Sequence, residues 1–434
     1  MATAWFPPFN VGGTEVYLEG LVGEMARLGA DCTVLAPRSS GVPARYQHIG
    51  IDVETYPVNA EPAPGEMRTR APHAGFDVFR QLLTRFSGAI YHQHSWTRGC
   101  GSNHLRVARE LGFRTALTVH AASPICLRGT MMRYGAQACD GLIDETTCGA
   151  CWAQGRGAPK GVARALARAP KGLARGARRF DTRLTTALGA RSLAADKAQD
   201  IHAAFDNSDR VIAVCKWLYD ALALNGAPKG KLALSRQGLT AEYLESARLA
   251  LALRPERDAA LRLVFLGRWD RVKGVDIVVA AVRSMPRHIP VHLIVHAIKP
   301  AGDANYEDEV RALAAGDPRI VFAAPVPRQH IASALAAHDV LVVPSQCLET
   351  GPLVVLEAQA AGLFVLGSRL GGIAELIDES DAGELVEAGD VAAWARAISR
   401  LAAIRAQGAL ARPRRKMRNQ SEVAADMAEI YRML

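Results

Sequence analysis

Short apolar runs alternate along this chain with longer amphipathic segments. In the second half, the apolar runs are LVFLG, VHLIVHAI, RIVFAAP, DVLVVP and LFVLGS. Segments with helical periodicity separate them, for example at 275–285 and 306–316. Apolar strands that alternate with helices are typical of a parallel sheet with helices on both faces.

The first half repeats this pattern. The amphipathic segment 14–30 leads into the run DCTVLAP, and the runs AIYHQH, TALTVH and DRVIAV follow. A first strand has to end before Pro7, which leaves it six residues. The whole pattern predicts an α/β fold with two doubly wound, parallel-sheet (Rossmann-like) domains that face a central cleft.

The length of 434 residues also favours two domains, because one core rarely extends over so long a chain. We place an N-terminal domain at 1–235 and a C-terminal domain at 236–415. A last helix within 416–434 can pack on either domain, and one arrangement returns it to the first.

The composition is that of a soluble globular protein, since 49% of the residues are hydrophobic and 22% are charged. No apolar run reaches the roughly 18 residues of a membrane-spanning helix. The first residues lack the basic and apolar regions of a signal peptide. Eight cysteines in so long a chain do not indicate a secreted disulfide scaffold. We therefore expect a cytoplasmic protein, either free or peripheral at the inner membrane face.

The loop GRWDRVKGVD carries two cations at the expected end of a strand, where parallel α/β sheets bind ligands. Arg268 and Lys273 precede a helix there. Two cations beside a helix N-terminus suit a diphosphate, because their charges and the backbone N–H groups point the same way. Two solvated surface cations are the alternative.

The stretch PSQCLETGPLVVLE follows another predicted strand. Glu349 lies on the loop, and Glu357 lies about one turn into the next helix. Between them, Gly351 lets the backbone approach a ligand, and Pro352 suits a first helical turn. A carboxylate accepts hydrogen bonds from both hydroxyls of a diol, so a ribose or a hexose is a natural partner. A helix-capping Glu349 and a solvated Glu357 are the alternative.

The first half offers a glycine loop and two histidines. Gly12 and Gly13 precede a helix, where they form either a backbone contact for phosphate or sugar or a simple strand-to-helix turn. His94 and His120 each end a predicted strand. Strand-end histidines face the ligand crevice in this architecture, although a structural hydrogen bond is the commoner role of such a side chain.

Taken together, several stretches resemble a retaining glycosyltransferase of the family 4 type with the two-domain B-type fold. They are FPPFNVGGTEVYLEGL, the strand-end His120, VIAVCKWL, FLGRWDRVKGVD and PSQCLETGPLVVLEAQAAGLFVLGSRLGGIAELI. They follow the family's order over most of the chain, and the Glu-x7-Glu spacing is the most specific of them. The sequence departs from the pattern at Gln237-Gly238, where Asn-Gly is usual, and at Ala121, where an acid or glycine is common.

The resemblance implies a role for each matched position. The catalytic positions would be His120, near the transferred sugar, and Glu349, on its hydroxyls. The donor-binding positions would neutralise the diphosphate, bind the ribose or line the sugar and phosphates with backbone N–H groups, and they are Gly12, Gly13, Arg268, Lys273, Gly351, Pro352, Leu353 and Glu357. Fixed cations stabilise the charge that develops on the leaving phosphate, so catalysis needs no metal cofactor.

The predicted function is transfer of a hexose-type sugar from a nucleotide-diphosphate sugar to a glycan or lipid-linked acceptor. The resemblance then makes 1–235 the acceptor-side domain and 236–415 the nucleotide-sugar-binding domain. The resemblance adds retention of configuration and a place in surface polysaccharide or glycoconjugate synthesis. A sugar-nucleotide epimerase on the same fold and a non-enzymatic membrane adaptor are the alternatives. The Glu-x7-Glu pattern favours transfer, and the intact donor positions argue against an adaptor.

Four cysteines lie close together in the sequence, at Cys126, Cys139, Cys148 and Cys151. Four thiolates with one Cys-x2-Cys pair suit a tetrahedral structural zinc. Four unlinked thiols, or a labile disulfide between the last two, are the alternatives, and the scarcity of cytosolic disulfides favours zinc. The ion would pin a loop near the acceptor cleft and take no part in catalysis.

Residues 156–191, the basic arm, hold ten basic residues and one acid and so account for the net charge of +9. The basic and the apolar side chains each follow a helical rhythm on opposite faces, and Pro170 is expected to split the helix. Such a helix indicates an anionic membrane surface, unless its apolar stripe packs on its own domain. Nucleic acid is not expected, since aromatic residues do not interleave the cations.

Overall fold

A computed structural model describes residues 1–8, 12–39, 42–59, 72–180, 182–254, 258–299, 305–378, 382–413 and 416–434. The chain forms two compact units. Unit 1 contains residues 1–236 and 421–434, and unit 2 contains residues 237–420. Among the described residues, helices that combine the length and the apolar character needed to cross a bilayer are absent.

Unit 1 is built from strands and helices that alternate along most of its length. Its strands are β1 (Thr33–Arg38), β2 (Arg45–His48), β3 (Ile51–Pro57), β4 (Ile90–Gln93), β5 (Arg114–Val119), β6 (Met132–Arg133), β7 (Gln137–Ala138), β8 (Arg210–Ala213) and β9 (Leu232–Leu234). Its helices are α1 (Gly13–Arg27), α2 (Phe76–Thr84), α3 (Ser102–Glu110), α4 (Glu145–Gly155), α5 (Lys160–Leu166), α6 (Lys171–Ala177), α7 (Arg183–Leu188), α8 (Ala190–Asp206), α9 (Lys216–Leu224) and the C-terminal α17 (Gln420–Arg432).

The strands of unit 1 pair in the orders β1-β3-β2 and β4-β5-β8-β9. All neighbours in these sheets are parallel except β2, which pairs antiparallel with β3. Ala2 bridges in parallel to Leu35 in β1 and to Gln93 in β4, so it occupies the position between the two groups. As predicted, pairing in the first strand ends before Pro7, and it extends only as far as Thr3 of the six residues available. Pairing stops after the Thr3 N–H, and Pro7 and Pro8 cannot donate to a ladder.

The C-terminal helix packs on α1. Val423, Met427 and Ile430 of α17 lie in one core cluster with Tyr17 and Leu21 of α1. The hydroxyl of Tyr431 lies 2.5 Å from Nδ1 of His92 in β4. This last helix thus belongs to the core of unit 1, far from its neighbours in sequence.

Unit 2 has the simpler topology. Its strands are β10 (Leu261–Arg268), β11 (Val291–Ile298), β12 (Ile320–Ala323), β13 (Val340–Val343), β14 (Phe364–Ser368) and β15 (Gly383–Val386). Its helices are α10 (Ala241–Ala252), α11 (Val275–Ser284), α12 (Asn305–Ala314), α13 (Ile331–Ala336), α14 (Leu353–Ala360), α15 (Gly371–Asp378) and α16 (Val391–Ala406). The strand order β12-β11-β10-β13-β14-β15 is entirely parallel.

Alternation along the central strands builds a core on each face of this sheet. Leu263 and Phe265 of β10 face one helix layer, and Val264 faces the other. The strand order reverses between β10 and β13, and in such sheets ligands bind beyond the carboxyl ends of the strands at this switch point. The predicted parallel α/β architecture is confirmed in both units.

The basic arm folds as short helices, and the split at Pro170 is confirmed, because this residue caps the N-terminus of α6. The alternative in which the apolar stripe packs on its own domain does not hold for four of its members, which are exposed: Val162, Leu173, Phe180 and Leu184. Small side chains are buried instead, namely Ala163, Ala167, Ala174 and Ala177. Residue 181 of the arm lies outside the described residues.

Candidate functional site

The loop after β10 turns sharply beside the switch point of unit 2. The Asp270 carboxylate accepts a hydrogen bond from the Val272 N–H at 3.0 Å and so starts a short 3-10 turn. Gly274, with φ of 67°, follows this turn, and a Cβ on it would lie 2.1 Å from the carbonyl oxygen of Pro344. Only glycine therefore lets this loop close against the end of β13.

The loop after β13 meets the loop after β10 through backbone and side chains. The Gln346 N–H donates to the Val272 carbonyl at 2.7 Å. Lys273 Nζ lies 2.6 Å from Glu349 Oε1, and the Ser345 hydroxyl donates to the same oxygen at 2.9 Å. The structure thus brings the predicted cation and the first predicted glutamate together as an ion pair. Their side chains are only 22% and 16% exposed.

Gly372, at the start of α15, packs against the loop that carries Glu349 and Gly351. The Gly372 N–H donates to the Glu349 carbonyl at 2.6 Å, and a Cβ on Gly372 would lie 2.3 Å from the Gly351 nitrogen. Gly351 itself has φ of 100°, a conformation that favours glycine. Gly371 and Gly372, in the stretch LGGIAELI, were not predicted to have a role in the site. Their place directly after an apolar strand was the available signal.

Glu357 lies in the first turns of α14 and is half-buried. Burial raises the pKa of its carboxyl group to about 7, and the positive charge of Arg328 acts in the opposite direction. The Tyr243 hydroxyl donates to the Glu357 backbone carbonyl at 3.0 Å and so anchors this turn. Arg328 and Tyr243 were not predicted, because they lie far away in the sequence.

Arg268 is the more exposed of the two predicted cations, and its guanidinium lies 3.9 Å from the Asp270 carboxylate. The pKa of the Cys347 thiol responds to the charges of both loops. Burial and the nearby Glu349 charge raise its pKa to about 12, and Lys273 and Arg268 oppose that shift. The predicted charged groups of both loops therefore act on one partly buried thiol.

Gln237, where the sequence departs from the family pattern, also reaches this region. Its side-chain Oε1 is buried and has no hydrogen-bond partner within the described ranges. The same atom lies 3.9 Å from the position that a Cβ would take on Gly351. An acceptor oxygen thus lies next to the corner of the Glu349 loop.

The glycine loop of unit 1 is closed by a side chain. The Gly12 N–H donates to Glu15 Oε2 at 2.8 Å, and α1 begins at Gly13. Burial raises the pKa of the Glu15 carboxyl, while hydrogen bonds from backbone N–H groups oppose the shift. The N–H of Gly12, predicted to contact phosphate or sugar, is therefore occupied by this carboxylate.

The two strand-end histidines of unit 1 meet. His94 Nδ1 lies 3.2 Å from His120 Nε2, and the ring of Tyr17 approaches His120 edge-on at 4.7 Å. Burial lowers the pKa of His120 to about 3, and burial together with the neighbouring His92 and His120 rings lowers that of His94. Both rings are neutral near pH 7, so one nitrogen of the pair donates and the other accepts.

A cavity of about 120 Å³ lies at these strand ends and the start of α1. Glu15, His94, Trp96 and His120 are among the residues that line it. Neutral imidazoles, a carboxyl group and an indole suit hydroxyl groups and the apolar face of a sugar. The structure thus places the predicted His120 at the wall of a cavity within unit 1.

The four clustered cysteines line a separate cavity of about 200 Å³ in unit 1. The Tyr134 N–H donates to Cys151 Sγ at 3.1 Å. Burial raises the pKa of Cys148 to about 12, and the other three thiols of the cluster add smaller contributions. All four thiols are free, and within the described ranges no three metal-ligating side chains converge closely enough to hold an ion. The zinc site stays a prediction.

Comparison with known families gives two matches. The family described as "Glycosyl transferase 4-like domain" matches residues 12–237, and the family described as "Glycosyl transferases group 1" matches residues 260–403. The first covers more than half of the chain. The second contains the loops that carry Arg268, Lys273, Glu349 and Glu357.

Among curated proteins, this chain is similar to D-inositol 3-phosphate glycosyltransferases. The protein of Corynebacterium kroppenstedtii is 35% identical over 146 residues, which is 32% of each chain. That of Mycobacterium ulcerans is 36% identical over 175 residues, which is 38% of this chain and 35% of the relative. The similarity therefore spans only about a third of the length of these relatives.

Solved structures share the fold over the whole chain. HepE of Anabaena, solved with UDP and glucose, has a TM-score of 0.60 at 14% identity and full coverage of both chains. Sucrose-phosphate synthase of Thermosynechococcus elongatus has a TM-score of 0.59 at 19% identity, covering 100% of this chain and 98% of its own. Such low identity speaks for the two-domain fold alone. Because the family match extends over residues 12–237, this protein belongs to the glycosyl transferase 4-like family.

Proposed function

We propose that this protein transfers a hexose-type sugar from a nucleotide-diphosphate sugar to a glycan or lipid-linked acceptor, with retention of configuration. The observation that carries the proposal is the pairing of Lys273 with Glu349 at the switch point of unit 2. It places a cation and a carboxylate side by side where parallel sheets bind nucleotides. Surface polysaccharide or glycoconjugate synthesis is the setting that suits such an activity.

The charges support one division of roles in the donor. Lys273 and Arg268 neutralise the diphosphate, on which negative charge grows as the sugar leaves. Glu349 already accepts hydrogen bonds from Lys273 and Ser345, which hold its carboxylate in one orientation. That arrangement suits a clamp on sugar hydroxyls better than a nucleophile. The half-buried Glu357 binds the ribose diol.

In unit 1, the neutral His120 is proposed to hold a hydroxyl of the transferred sugar or to stabilise the reacting centre. Its ring is held by His94 and lines the cavity described above. An uncharged imidazole donates or accepts one hydrogen bond without adding charge to the reacting centre. No metal takes part in this scheme, because fixed cations serve the leaving group.

The first experiment is a thermal-shift panel of nucleotide-sugars at pH 7.5. A true donor stabilises the folded protein by about 2.7 kcal/mol when present at one hundred times its Kd. HepE was solved with UDP and glucose, so UDP-hexoses come first, and GDP-, ADP- and TDP-sugars follow. Glu357→Ala should lose the shift, whereas the exposed Glu387→Ala is the matched control. An equal shift in both variants contradicts the ribose assignment.

The second experiment follows the reaction by NMR with the best donor and an acceptor panel. The panel contains lipid-linked saccharides, free glycans and inositol 3-phosphate, which the names of the matched relatives suggest. Transfer with the anomeric configuration of the donor is expected. An inverted product contradicts retention, and release of an epimerised nucleotide-sugar without transfer supports the epimerase instead.

We also propose that the four clustered cysteines hold a structural zinc ion. The support is that all four thiols line one cavity. Metal analysis of purified protein should find about one equivalent of zinc. Cys148→Ser should lose the ion and Cys32→Ser, which alters a thiol outside the cluster, should keep it. Less than about a tenth of an equivalent in the unaltered protein contradicts this proposal.

A further inference from the structure

The basic arm presents large apolar side chains to solvent on the surface of unit 1. The exposed fractions are 48% for Val162, 56% for Leu173, 62% for Phe180 and 63% for Leu184. The arm contacts the rest of unit 1 through small methyl groups, as Ala163 and Ala174 are completely buried. On an ordinary soluble surface, large apolar side chains are exposed singly and far apart, whereas four are exposed together on this short segment.

Exposed cations lie among these apolar groups. They are Arg164, Arg168, Arg175, Arg179 and Arg183. Three further basic residues of the arm have acidic partners: Lys171 and Arg191 pair with Glu145, and Arg178 pairs with Asp196. The last two, Arg156 and Lys160, lie over the aromatic rings of Trp152 and Tyr134. For the five exposed arginines, a carboxylate within ion-pair distance is absent from the described residues. Their positive charge is thus available to an external anion.

We propose that this arm surface, formed by Val162, Leu173, Phe180, Leu184 and the five exposed arginines, binds the surface of an anionic lipid bilayer. The apolar side chains enter the boundary between headgroups and acyl chains, and the arginines bind lipid phosphates. A bilayer is the occupant that uses both features at once. Nucleic acid would use the arginines and could stack a base on Phe180, but it would gain nothing from the exposed leucines and the valine.

The proposal adds a partner to the proposed function without depending on it. A lipid-linked acceptor is reached more easily by an enzyme that sits on the membrane, because binding confines both to one surface. Vesicle binding is measured in the absence of any nucleotide-sugar, so its failure would leave the transfer reaction untouched. Failure of the transfer reaction would equally leave the arm surface untouched.

The test is sedimentation of the full chain with vesicles at about 0.1 M salt. Vesicles of phosphatidylcholine and phosphatidylglycerol in equal parts should carry the protein down, and pure phosphatidylcholine should not. The charge variant R168Q/R175Q/R179Q should lower the partition coefficient about 100-fold. The apolar variant L173S/F180S/L184S should lower it by at least about 10-fold.

Matched controls change apolar and basic side chains that are exposed outside the arm. L28S/L249S/L253S alters three other exposed leucines, and R114Q/K229Q/R396Q alters three other exposed cations. Both controls should bind like the unaltered protein, and circular dichroism with thermal unfolding should show that all variants are folded. Equal binding by variants and controls overturns the proposal, as does failure to sediment with phosphatidylglycerol.

A competition experiment distinguishes a lipid bilayer from nucleic acid as the partner of the arm surface. A duplex oligonucleotide should not displace the protein from vesicles at equal charge concentration. If it does so, and if the apolar variant binds it like the unaltered protein, the arm is a nucleic-acid surface and the membrane proposal is wrong. If only vesicle binding responds to both the apolar and the charge variant, the bilayer is the partner.

Discussion

The carboxyl-end loops of the two units are built on the same kind of parallel sheet, yet they carry opposite chemistry. In unit 2, Lys273 and Glu349 form an ion pair, and Arg268 adds a second cation. In unit 1, His94 and His120 contact each other as neutral, buried rings. The architecture therefore fixes where a ligand can bind, and the side chains at the strand ends decide which chemistry is possible there.

The difference matches the two halves of a glycosyl transfer. A diphosphate leaving group needs fixed positive charge, which unit 2 provides. A sugar hydroxyl needs directional hydrogen bonds without charge, which neutral imidazoles provide in unit 1. If this division holds, charge changes in unit 2 should have larger effects than changes of the neutral pair in unit 1.

The largest effect is expected for Lys273→Ala. This change removes a cation from the leaving group and leaves the Glu349 carboxylate without its 2.6 Å partner. We expect kcat/KM to fall about 10³-fold, measured with the donor found in the thermal-shift panel. Lys229→Ala removes an exposed lysine elsewhere and should leave the rate unchanged. A loss of less than about tenfold for Lys273→Ala would mean that Lys273 does not neutralise the leaving group.

Glu357→Gln tests the buried charge of unit 2 through stability. The pKa of Glu357 rises from 4.5 to about 7 in the folded protein, so between these values the native state holds a proton that the unfolded chain has released. The free energy of unfolding therefore falls as pH rises through this window. The variant avoids that loss and should be more stable than the unaltered protein at pH 8, by up to about 3 kcal/mol.

Urea unfolding of both proteins at pH 4 and pH 8 checks this expectation. At pH 4 the protonated glutamate resembles glutamine, so the two stabilities should agree. Glu387→Gln, a change at an exposed glutamate of the same unit, keeps Glu357, so its stability should fall with pH as that of the unaltered protein does. A variant that is less stable at pH 8 would mean that the Glu357 carboxylate has a stabilising partner in the folded state.

In unit 1, His120→Ala should lower kcat about 100-fold, because it removes a hydrogen bond to the reacting sugar. The pKa of His120 is lowered to about 3, so this ring stays neutral from pH 5 to pH 8. His120 should therefore contribute no acid limb near the ordinary histidine pKa of about 6.5 to the pH profile of kcat/KM. A limb that comes from Glu357, whose pKa is about 7, should persist in His120→Ala. If the unaltered enzyme shows such a limb and His120→Ala abolishes it, the neutral assignment is wrong.

The smallest effect is expected at His94, a positioning residue that contacts the His120 ring and fixes its tautomer. His94→Phe should lower kcat about tenfold and leave the thermal shift by donor unchanged. His94→Gln keeps a polar group at this position and should recover part of the loss. Equal loss in both variants, or a weaker donor shift, would indicate that His94 acts only through the packing of unit 1.

Much of the fold was predictable from the sequence, because strands and helices are recorded in local periodicity. The alternation of apolar runs with amphipathic segments gave two parallel α/β units, and β10 and α11 lie where they were predicted. The loops with Arg268, Lys273, Glu349 and Glu357 were found because ligands bind at strand ends. The family assignment is confirmed by a match over residues 12–237.

The contacts within the site were not predictable, because they join residues far apart in the chain. Lys273 and Glu349 are separated by 76 positions and meet only because β10 and β13 are neighbours in the sheet. Arg328 reaches the surroundings of Glu357 in the same way, by the order of the strands. Local sequence contains no record of this order.

The basic arm shows the same limit in a single segment. Periodicity identified its apolar and basic stripes and the break at Pro170, all of which are local properties. Which side faces inward was decided by packing, and the buried side is formed by Ala163, Ala174 and their neighbours. A helical repeat determines which side chains share a face, whereas only the tertiary structure determines which face is covered.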